Sequence, residues 1–245
     1  MIRVTELSKS FEEIKAVRGI SFEVKQGEVL GFLGPNGAGK STTMKMLTCF
    51  LAPTEGDATI FGKSILDEPI EVRKKIGYMP ENAPLYDDLT VDEFLHYAAQ
   101  LRGIDKNKEM DAVENVLKIC AIKEVQFQGI ETLSKGYKRR VSMAQALIHD
   151  PEVLILDEPT DGLDPNQKHD VRSLIKSLAK DKCIILSTHI LEEVEAVCTR
   201  AIIISSGKKL FDGEPHELKE KSSLGRVDDV FRAITTGAEV EGVTL

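Results

Sequence analysis

The stretch that decides the fold is VLGFLGPNGAGKSTTMKMLTCFL, at positions 29–51. Its first five residues, Val29–Leu33, are apolar apart from one glycine and predict a buried strand. Positions 34–41 satisfy the phosphate-binding pattern Gly-x-x-x-x-Gly-Lys-Ser, and a helix is predicted over Ser41–Leu51. A strand, a glycine-rich loop and a helix in this order predict a site for the phosphates of a nucleotide.

Each residue type in this loop contributes to phosphate binding. Glycines let successive backbone N–H groups close on phosphate oxygens, and the following helix N-terminus adds partial positive charge. Lys40 is expected to reach the β- and γ-phosphates, and Ser41 to ligate Mg²⁺. The nucleotide-binding residues predicted in the loop are Gly34, Pro35, Asn36, Gly37, Ala38, Gly39, Lys40, Ser41 and Thr42.

A second motif places two carboxylates directly after another apolar segment, Val153–Leu156. Ligands of parallel α/β sheets bind at the carboxyl ends of the strands, where these carboxylates would lie. Asp157 is predicted to contact Mg²⁺ through water, and Glu158 to be the general base that polarises the attacking water. The motif therefore favours nucleotide hydrolysis, whereas an isolated acidic pair would indicate only a solvated turn.

Seven short apolar segments, rich in β-branched residues, predict strands. Several are apolar at every position and helical patterns lie between them, which is typical of parallel strands buried on both faces of an α/β sheet. The segments are Ile20–Val24, Val29–Leu33, Ala58–Phe61, Ile76–Met79, Val153–Leu156, Cys183–Ser187 and Ala201–Ser205.

The strand signal disappears between Asp87 and Asp150, where helices are predicted at Val91–Leu101, Lys106–Cys120 and Ser134–Ile148. We interpret positions 87–150 as a helical sub-domain inserted into a core formed by positions 1–86 and 151–220, so that 1–245 is one domain. In the tail, positions 221–245, apolar residues recur at helical spacing and predict one amphipathic helix. Those residues are Val227, Val230, Phe231 and Ile234.

Composition excludes several classes of protein. The 245 residues include 40 acidic and 32 basic side chains, and a net charge of −8 disfavours a broad nucleic-acid-binding surface. The longest aliphatic runs, such as Ala201–Ile204, are far shorter than the roughly 20 residues that cross a bilayer. The N-terminus lacks the pattern of a secretory signal, so we expect a cytoplasmic protein. From the net charge we expect that the protein does not bind nucleic acid.

Three further motifs lie before and after the acidic pair Asp157–Glu158. Leu133-Ser-Lys-Gly-Tyr137 precedes the acidic pair, Gly162-Leu-Asp164 follows it, and Ser187-Thr-His189 follows a predicted strand. In this order the motifs resemble those of ABC transporter nucleotide-binding subunits over essentially the whole chain. The resemblance implies an α/β fold with a P-loop NTPase core, a parallel-rich sheet, an inserted helical sub-domain and a short antiparallel β portion near the N-terminus.

The resemblance also implies roles for residues outside the phosphate loop. Such subunits dimerise head to tail around two MgATP, as homodimers or with a second ATP-binding subunit, and Ser134 and Gly136 would complete the partner's site. His189 would be the switch histidine at the γ-phosphate, although it could instead cap the following helix. Phe11 falls where an aromatic ring stacks on adenine, although a core position is its alternative.

Two positions depart from the usual family pattern. Lys135-Gly136-Tyr137 stands where Gly-Gly-Gln is usual, and Glu81 replaces the glutamine that usually ligates Mg²⁺, so this metal ligand has become an anion. Both variants, with the sequence around the phosphate loop, resemble the bacterial exporter branch that includes gliding-motility and multidrug-type subunits.

The function implied is an ATPase that uses ATP and Mg²⁺ to drive a separate integral membrane permease, in the direction of export. The protein would lie on the inner face of the plasma membrane, with the helical sub-domain and the Glu81 loop as docking surface. One alternative is an ABC ATPase without a permease, used in repair, translation or cofactor assembly. Repair members carry a long coiled-coil insertion and translation members two tandem ATPase units, and this sequence has neither. A nucleotide sensor with little hydrolysis is a third interpretation.

Overall fold

A computed structural model describes residues 1–222 and 226–243. Its strands are β1 (Ile2–Phe11), β2 (Ile14–Val24), β3 (Val29–Leu33), β4 (Glu55–Ile60), β5 (Lys63–Ser64), β6 (Ile76–Met79), β7 (Val153–Asp157), β8 (Cys183–Thr188), β9 (Arg200–Ser205) and β10 (Lys208–Gly213). Its α-helices are α1 (Lys40–Leu47), α2 (Pro69–Lys75), α3 (Val91–Leu101), α4 (Lys106–Ile119), α5 (Lys135–Leu147), α6 (Pro165–Leu178), α7 (Leu191–Val197), α8 (Pro215–Glu220) and α9 (Val227–Thr236). Two 3-10 turns, Lys123–Val125 and Ile130–Thr132, lie between α4 and α5.

The central sheet has the order β10-β9-β3-β8-β7-β6, and every pair except β10 with β9 is parallel. All residues of β3, β7 and β8 are buried, as expected for strands covered on both faces. Alternate residues of β7 enter different cores, because successive side chains point to opposite faces. The parallel-rich α/β sheet predicted from the sequence is confirmed.

A second sheet, of order β2-β1-β4-β5, is antiparallel throughout. Its apolar side chains and those of α1 pack on one face of the central sheet, whereas α3, α4, α5 and α6 pack on the other. The antiparallel portion implied by the resemblance is therefore present. Neither β1 nor β10 stands out in the sequence, because polar residues alternate along an antiparallel strand with one exposed face.

The helices of the predicted sub-domain lie at the positions expected from the sequence. The bounds of α3 match the prediction, α4 ends one residue earlier than predicted, and α5 is one residue shorter at each end. A capping box starts α3, since the Glu93 N–H donates to Thr90 Oγ1 (3.2 Å) and the Thr90 N–H donates to Glu93 Oε2 (2.8 Å). The division of the chain at positions 87 and 150 stays a prediction.

The helix after the phosphate loop is shorter than the sequence pattern indicates. It was expected over Ser41–Leu51, but α1 ends at Leu47. The Thr48 hydroxyl donates back to the Met44 carbonyl (3.0 Å), and Cys49 has a φ of 55°, in the left-handed region. The apolar residues after Leu47 thus continue the hydrophobic pattern without continuing the helix.

The tail contains the amphipathic helix expected from its apolar spacing. Val227 and Val230 of α9 are buried in a cluster with residues of β9, and Phe231 and Ile234 pack against it. Positions 223–225 and 244–245 of the predicted tail lie outside the described residues. Among the helices that the structure describes, none combines the length and apolar character that a membrane span requires.

The contact between β6 and α5 gives a stability prediction. A Cβ at Gly77 would meet the Ala146 carbonyl oxygen and lie 2.9 Å from Pro151 Cγ, and the carbonyl belongs to the fixed backbone of α5. Gly77→Ala is therefore expected to lower the free energy of unfolding by about 1–3 kcal/mol, measured by urea denaturation. The control is Gly129→Ala, where no atom lies within 4 Å of the added Cβ. Equal stabilities of the two variants would contradict this packing.

Candidate nucleotide site

The phosphate loop joins β3 to α1 and contains a conformation that requires glycine. Gly39, the residue before α1, has a φ of 106°, and a Cβ there would lie 2.5 Å from the Ala16 carbonyl oxygen. Its own carbonyl accepts hydrogen bonds from the backbone N–H and the hydroxyl of Thr43, both at 2.9 Å. The loop is thereby held in the curved form in which its N–H groups can face an anion.

Lys40 holds its ammonium inside the loop. Its Nζ donates to the Gly34 carbonyl (2.7 Å) and to the Pro35 carbonyl (3.3 Å), and the side chain is buried. Nζ also lies 3.6 Å from Oε1 of Glu158, which directly follows β7. A cation is therefore present at the position where the sequence predicts phosphate contact.

Asp157 ends β7 and is buried beside the phosphate loop. One of its oxygens, Oδ1, accepts a hydrogen bond from the Ser41 hydroxyl (3.2 Å) and another from the Ser187 hydroxyl. Ser187 lies opposite Asp157 in the parallel pairing of β7 with β8. The predicted metal ligands Ser41 and Asp157 are thus in direct contact, and β8 holds the carboxylate in place.

Glu158 has an unusual backbone conformation for its residue type. Its φ is 49°, and its N–H donates to the Ser187 carbonyl (3.1 Å) and lies 3.2 Å from the Ser187 hydroxyl. Such a conformation costs free energy and is found most often at functional sites. It directs the carboxylate toward Lys40 and toward His189, whose Nδ1 is 3.0 Å from Oε2 of Glu158.

Lys40, Glu158 and His189 line one cavity of about 650 Å³, a size typical of small-molecule sites. Asp157, which is bonded to the lining residue Ser41, is not itself part of the lining. The lining of the cavity includes the loop from Asn36 to Thr42 together with Glu81, Glu158 and His189. Ala16 and Asp161 also line the cavity, and no sequence motif assigned them a role.

Glu81 is held by a buried arginine from α5. Arg139 of α5 donates from Nη1 to the Glu81 carbonyl (2.6 Å), so α5 is tied to the segment that follows β6. Burial lowers the pKa of Arg139, and the nearby carboxylates of Asp161 and Glu81 act in the opposite direction. Arg139 was missed from the sequence because nothing near position 139 indicates a contact with position 81.

Ser134 and Gly136 lie at the N-terminus of α5, outside this cavity. Ser134 is the N-cap residue, with its hydroxyl oxygen 3.4 Å from the Tyr137 N–H, and Gly136 packs against the Gln167 side chain. Between them, the Lys135 ammonium forms an ion pair with Asp161 at 3.4 Å. The site of a single chain therefore does not include the two residues expected to act in a partner's site.

Phe11 lies at the end of β1 and is 45% exposed. The Lys9 ammonium is 5.3 Å from the centre of its ring. The ring is therefore not a core side chain, which was the alternative to adenine stacking.

Known proteins of one family are similar to this chain. A family model described as "ABC transporter" matches residues 17–161, which is more than half of the chain. This chain belongs to the ABC transporter family. It is 37% identical to the Nod factor export ATP-binding protein I of Rhizobium sp. (strain N33), over 94% of this chain and 76% of that protein.

Solved structures of ABC transporter cassettes have the same fold. A structure of the ATP-binding subunit of an ABC transporter superposes with a TM-score of 0.85 at 29% identity, covering 96% of this chain and 99% of that chain. The cassette MJ0796, solved as a dimer in a post-hydrolysis state with ADP and Pi, gives a TM-score of 0.80 at 25% identity, with coverages of 88% and 99%. The chain is an ATP-binding domain of this family.

The residues of the site fit a nucleotide that carries Mg²⁺. The Ser41 hydroxyl and the Asp157 carboxylate, 3.2 Å apart, are oxygen groups of the kind that Mg²⁺ prefers, and Glu81, which lines the cavity, would add a third. No cluster of three His, Cys, Asp or Glu side chains in the described ranges forms a metal site by itself. These residues would therefore hold Mg²⁺ together with phosphate oxygens.

Substitution of Lys40 tests whether the loop binds the phosphates of ATP. Lys40→Ala removes the buried cation and is expected to reduce ATP affinity by about tenfold or more, because charge-assisted hydrogen bonds to phosphate are lost. Isothermal titration calorimetry measures the change. Lys45→Ala, an exposed lysine in the last turn of the same helix, is the matched control and should bind ATP like the wild type. Equal affinities of the two variants would contradict the assignment of the loop.

Proposed function

We propose that the protein is the MgATP-hydrolysing subunit of an ABC exporter, and that it dimerises around two nucleotides to drive a separate membrane permease. The observation that carries hydrolysis is the position of the Glu158 carboxylate. It lies in the nucleotide cavity between the Lys40 ammonium, at 3.6 Å, and the His189 imidazole, at 3.0 Å. A carboxylate beside a phosphate site has the chemistry of a general base for water.

In the proposed mechanism, the phosphate loop binds the polyphosphate and Lys40 neutralises charge on its β- and γ-oxygens. Glu158 accepts a proton from the attacking water, and His189 orients Glu158 and contacts the γ-phosphate. Mg²⁺, when held by Ser41, Asp157 and Glu81, supplies neutralisation of phosphate charge. The exposed ring of Phe11 stacks on adenine.

The second half of each site would come from a second ATP-binding subunit. Ser134 and Gly136 open α5, whose first N–H groups and partial positive charge suit a phosphate. They lie outside the cavity of their own chain, so their use requires another copy or a related subunit. The dimeric cassette with ADP and Pi, to which this chain is similar, supports that arrangement.

A groove beside the nucleotide site supports docking of a permease. It has a volume of about 470 Å³ and lies between α3, α5 and the segment after β6, residues 80–86. Exposed apolar side chains such as Phe50, Tyr86 and Leu101 line its wall. At its base the hydroxyls of Tyr78 and Ser142 have no hydrogen-bond partner among the described residues. A short cytoplasmic segment of a permease, apolar with one polar group, would satisfy both features.

Export is proposed because a relative bears the name of an export protein, the Nod factor export ATP-binding protein I. With a permease bound, the subunit would be attached to the inner face of the plasma membrane. The alternative is a soluble ABC ATPase without a permease. In such a protein the apolar groove would stay uncovered, which argues against this alternative. A nucleotide sensor would not need the carboxylate–imidazole pair.

Glu158→Gln tests hydrolysis and dimerisation together. We expect ATP affinity within about twofold of wild type, because the phosphate loop is unchanged, and a phosphate release rate lower by about 100-fold or more, because the base is lost. With MgATP the variant should persist as a dimer, detected by size-exclusion chromatography with light scattering.

The control for shared sites is the double variant Glu158→Gln with Ser134→Arg. The arginine blocks the N-terminus of α5 without changing the phosphate loop, so ATP binding should remain and the dimer should disappear. A Glu158→Gln variant that hydrolyses ATP like the wild type would refute the assigned base. A double variant that still dimerises would refute the contact in trans.

Leu101→Asp tests the groove. If a multi-span membrane protein is encoded beside this gene and co-purifies with the wild type, the variant is expected to lose it, because a charge is placed in an apolar contact. Its own ATP hydrolysis should stay within about twofold of wild type. Phe127→Asp is the matched control, since Phe127 is 78% exposed, Leu101 is 69% exposed, and Phe127 lies outside the groove. Equal recovery of the membrane protein with both variants would contradict docking at this surface.

A further inference from the structure

A buried carboxylate outside the nucleotide cavity connects two segments that line it. Glu193, in α7, is 2% exposed. Its Oε1 accepts a hydrogen bond from the Thr160 hydroxyl, and its Oε2 accepts one from the Thr188 hydroxyl at 2.9 Å. Both threonines are buried as well. The two oxygens of one side chain are therefore bonded to two different segments of the chain.

Each of these segments carries a residue of the proposed catalytic pair. Thr160 follows Glu158 by two positions, after the end of β7. Thr188 ends β8 and directly precedes His189, and its hydroxyl oxygen also accepts the Ile190 N–H at 3.0 Å. Glu193 thus adds a side-chain link between the segments of Glu158 and His189, beside the backbone hydrogen bond from the Glu158 N–H to the Ser187 carbonyl.

The surroundings of Glu193 indicate that this link is specific. Arg172 of α6, one of the two cations whose charges act on Glu193, forms its ion pair with the exposed Glu192 (2.9 Å), not with Glu193. Burial raises the pKa of Glu193, whereas the Thr188 hydrogen bond and the charges of Lys168 and Arg172 oppose that shift. Burying a carboxylate costs free energy, and an apolar side chain would fill the same space at lower cost. What the carboxylate adds is two fixed acceptors.

We propose that Glu193 is a positioning residue for ATP hydrolysis, which holds the segments of Thr160 and Thr188 so that Glu158 and His189 stay within hydrogen-bond distance. The proposal rests on the proposed function, since it assigns Glu193 an effect only through the Glu158–His189 pair. Because Glu193 bonds to Thr160 and Thr188 and is not part of the lining of the nucleotide cavity, its loss should change the rate of hydrolysis and leave ATP binding in place.

The test compares Glu193→Ala and Glu193→Gln with the matched control Glu192→Gln. We expect kcat to fall by about tenfold or more in Glu193→Ala, with KM for ATP and ADP affinity within about twofold of wild type. Glu193→Gln, which keeps one acceptor oxygen, should retain an intermediate kcat. Glu192→Gln removes only an exposed ion pair and should match the wild type. A wild-type kcat in Glu193→Ala would overturn the proposal.

A double-mutant cycle separates positioning from a general loss of structure. In a His189→Ala background, Glu193→Ala should change kcat by less than about twofold, because the pair through which it acts is already broken. An effect equal to that in the wild-type background would overturn the proposal. If Glu193→Ala does not fold, Thr160→Val and Thr188→Val remove the two hydroxyls at nearly constant volume, and each should lower kcat with KM unchanged.

The outcomes distinguish this inference from the proposed function. A wild-type protein that releases no phosphate from ATP would refute the proposed function. Hydrolysis that is lost in Glu158→Gln but unchanged in Glu193→Ala, Thr160→Val and Thr188→Val would refute only the positioning role.

Discussion

The backbone hydrogen bonds that join β3, β8 and β7 in parallel are the constraint on which the rest of the structure depends. In this register Leu33 lies opposite Thr188, and Asp157 lies opposite Ser187. The strands therefore end together, and the phosphate loop, the acidic pair and His189 begin at one edge of the sheet. Because all three strands are buried on both faces, a shift of one residue would move side chains between two filled cores. The packing of the whole domain thus fixes the site.

Charged side chains at this edge are paired with groups of the protein itself. Lys40 is buried against two backbone carbonyls and near Glu158, while Asp157 accepts hydrogen bonds from the hydroxyls of Ser41 and Ser187. Each buried charge therefore has a partner, as the cost of burying ions requires. A bound polyphosphate would take over part of the interaction of Lys40, so the site already has the charge arrangement that binding needs.

Two longer-range links connect this edge to the rest of the molecule. Arg139 ties α5 to the backbone at Glu81, and Glu193 ties α7 to Thr160 and Thr188. The hydrogen bonds of Glu193 are buried and that of Arg139 is partly buried. Such polar contacts have defined geometry and are lost when the partners separate. The proposed partner surfaces, the groove and the N-terminus of α5, belong to or adjoin the element that Arg139 anchors. Through Arg139, α5 is therefore in contact with the backbone of Glu81, a residue that lines the nucleotide cavity.

The sequence by itself determined the features that depend on near neighbours in the chain. These are the glycine-rich loop between a strand and a helix, the apolar strands of a parallel sheet, and the helix α3. The first and last residues predicted for α3 are those observed. The sequence pattern predicted a longer α1 than the one observed, which ends where the Thr48 hydroxyl bonds back to Met44. The pattern gave no sign of β1 or β10. Only the tertiary structure decided that Arg139 meets Glu81, 58 positions away, and that Glu193 meets Thr160, 33 positions away. Local patterns carry no information about such contacts, because the order of strands in the sheet and the packing of helices on it bring these side chains together.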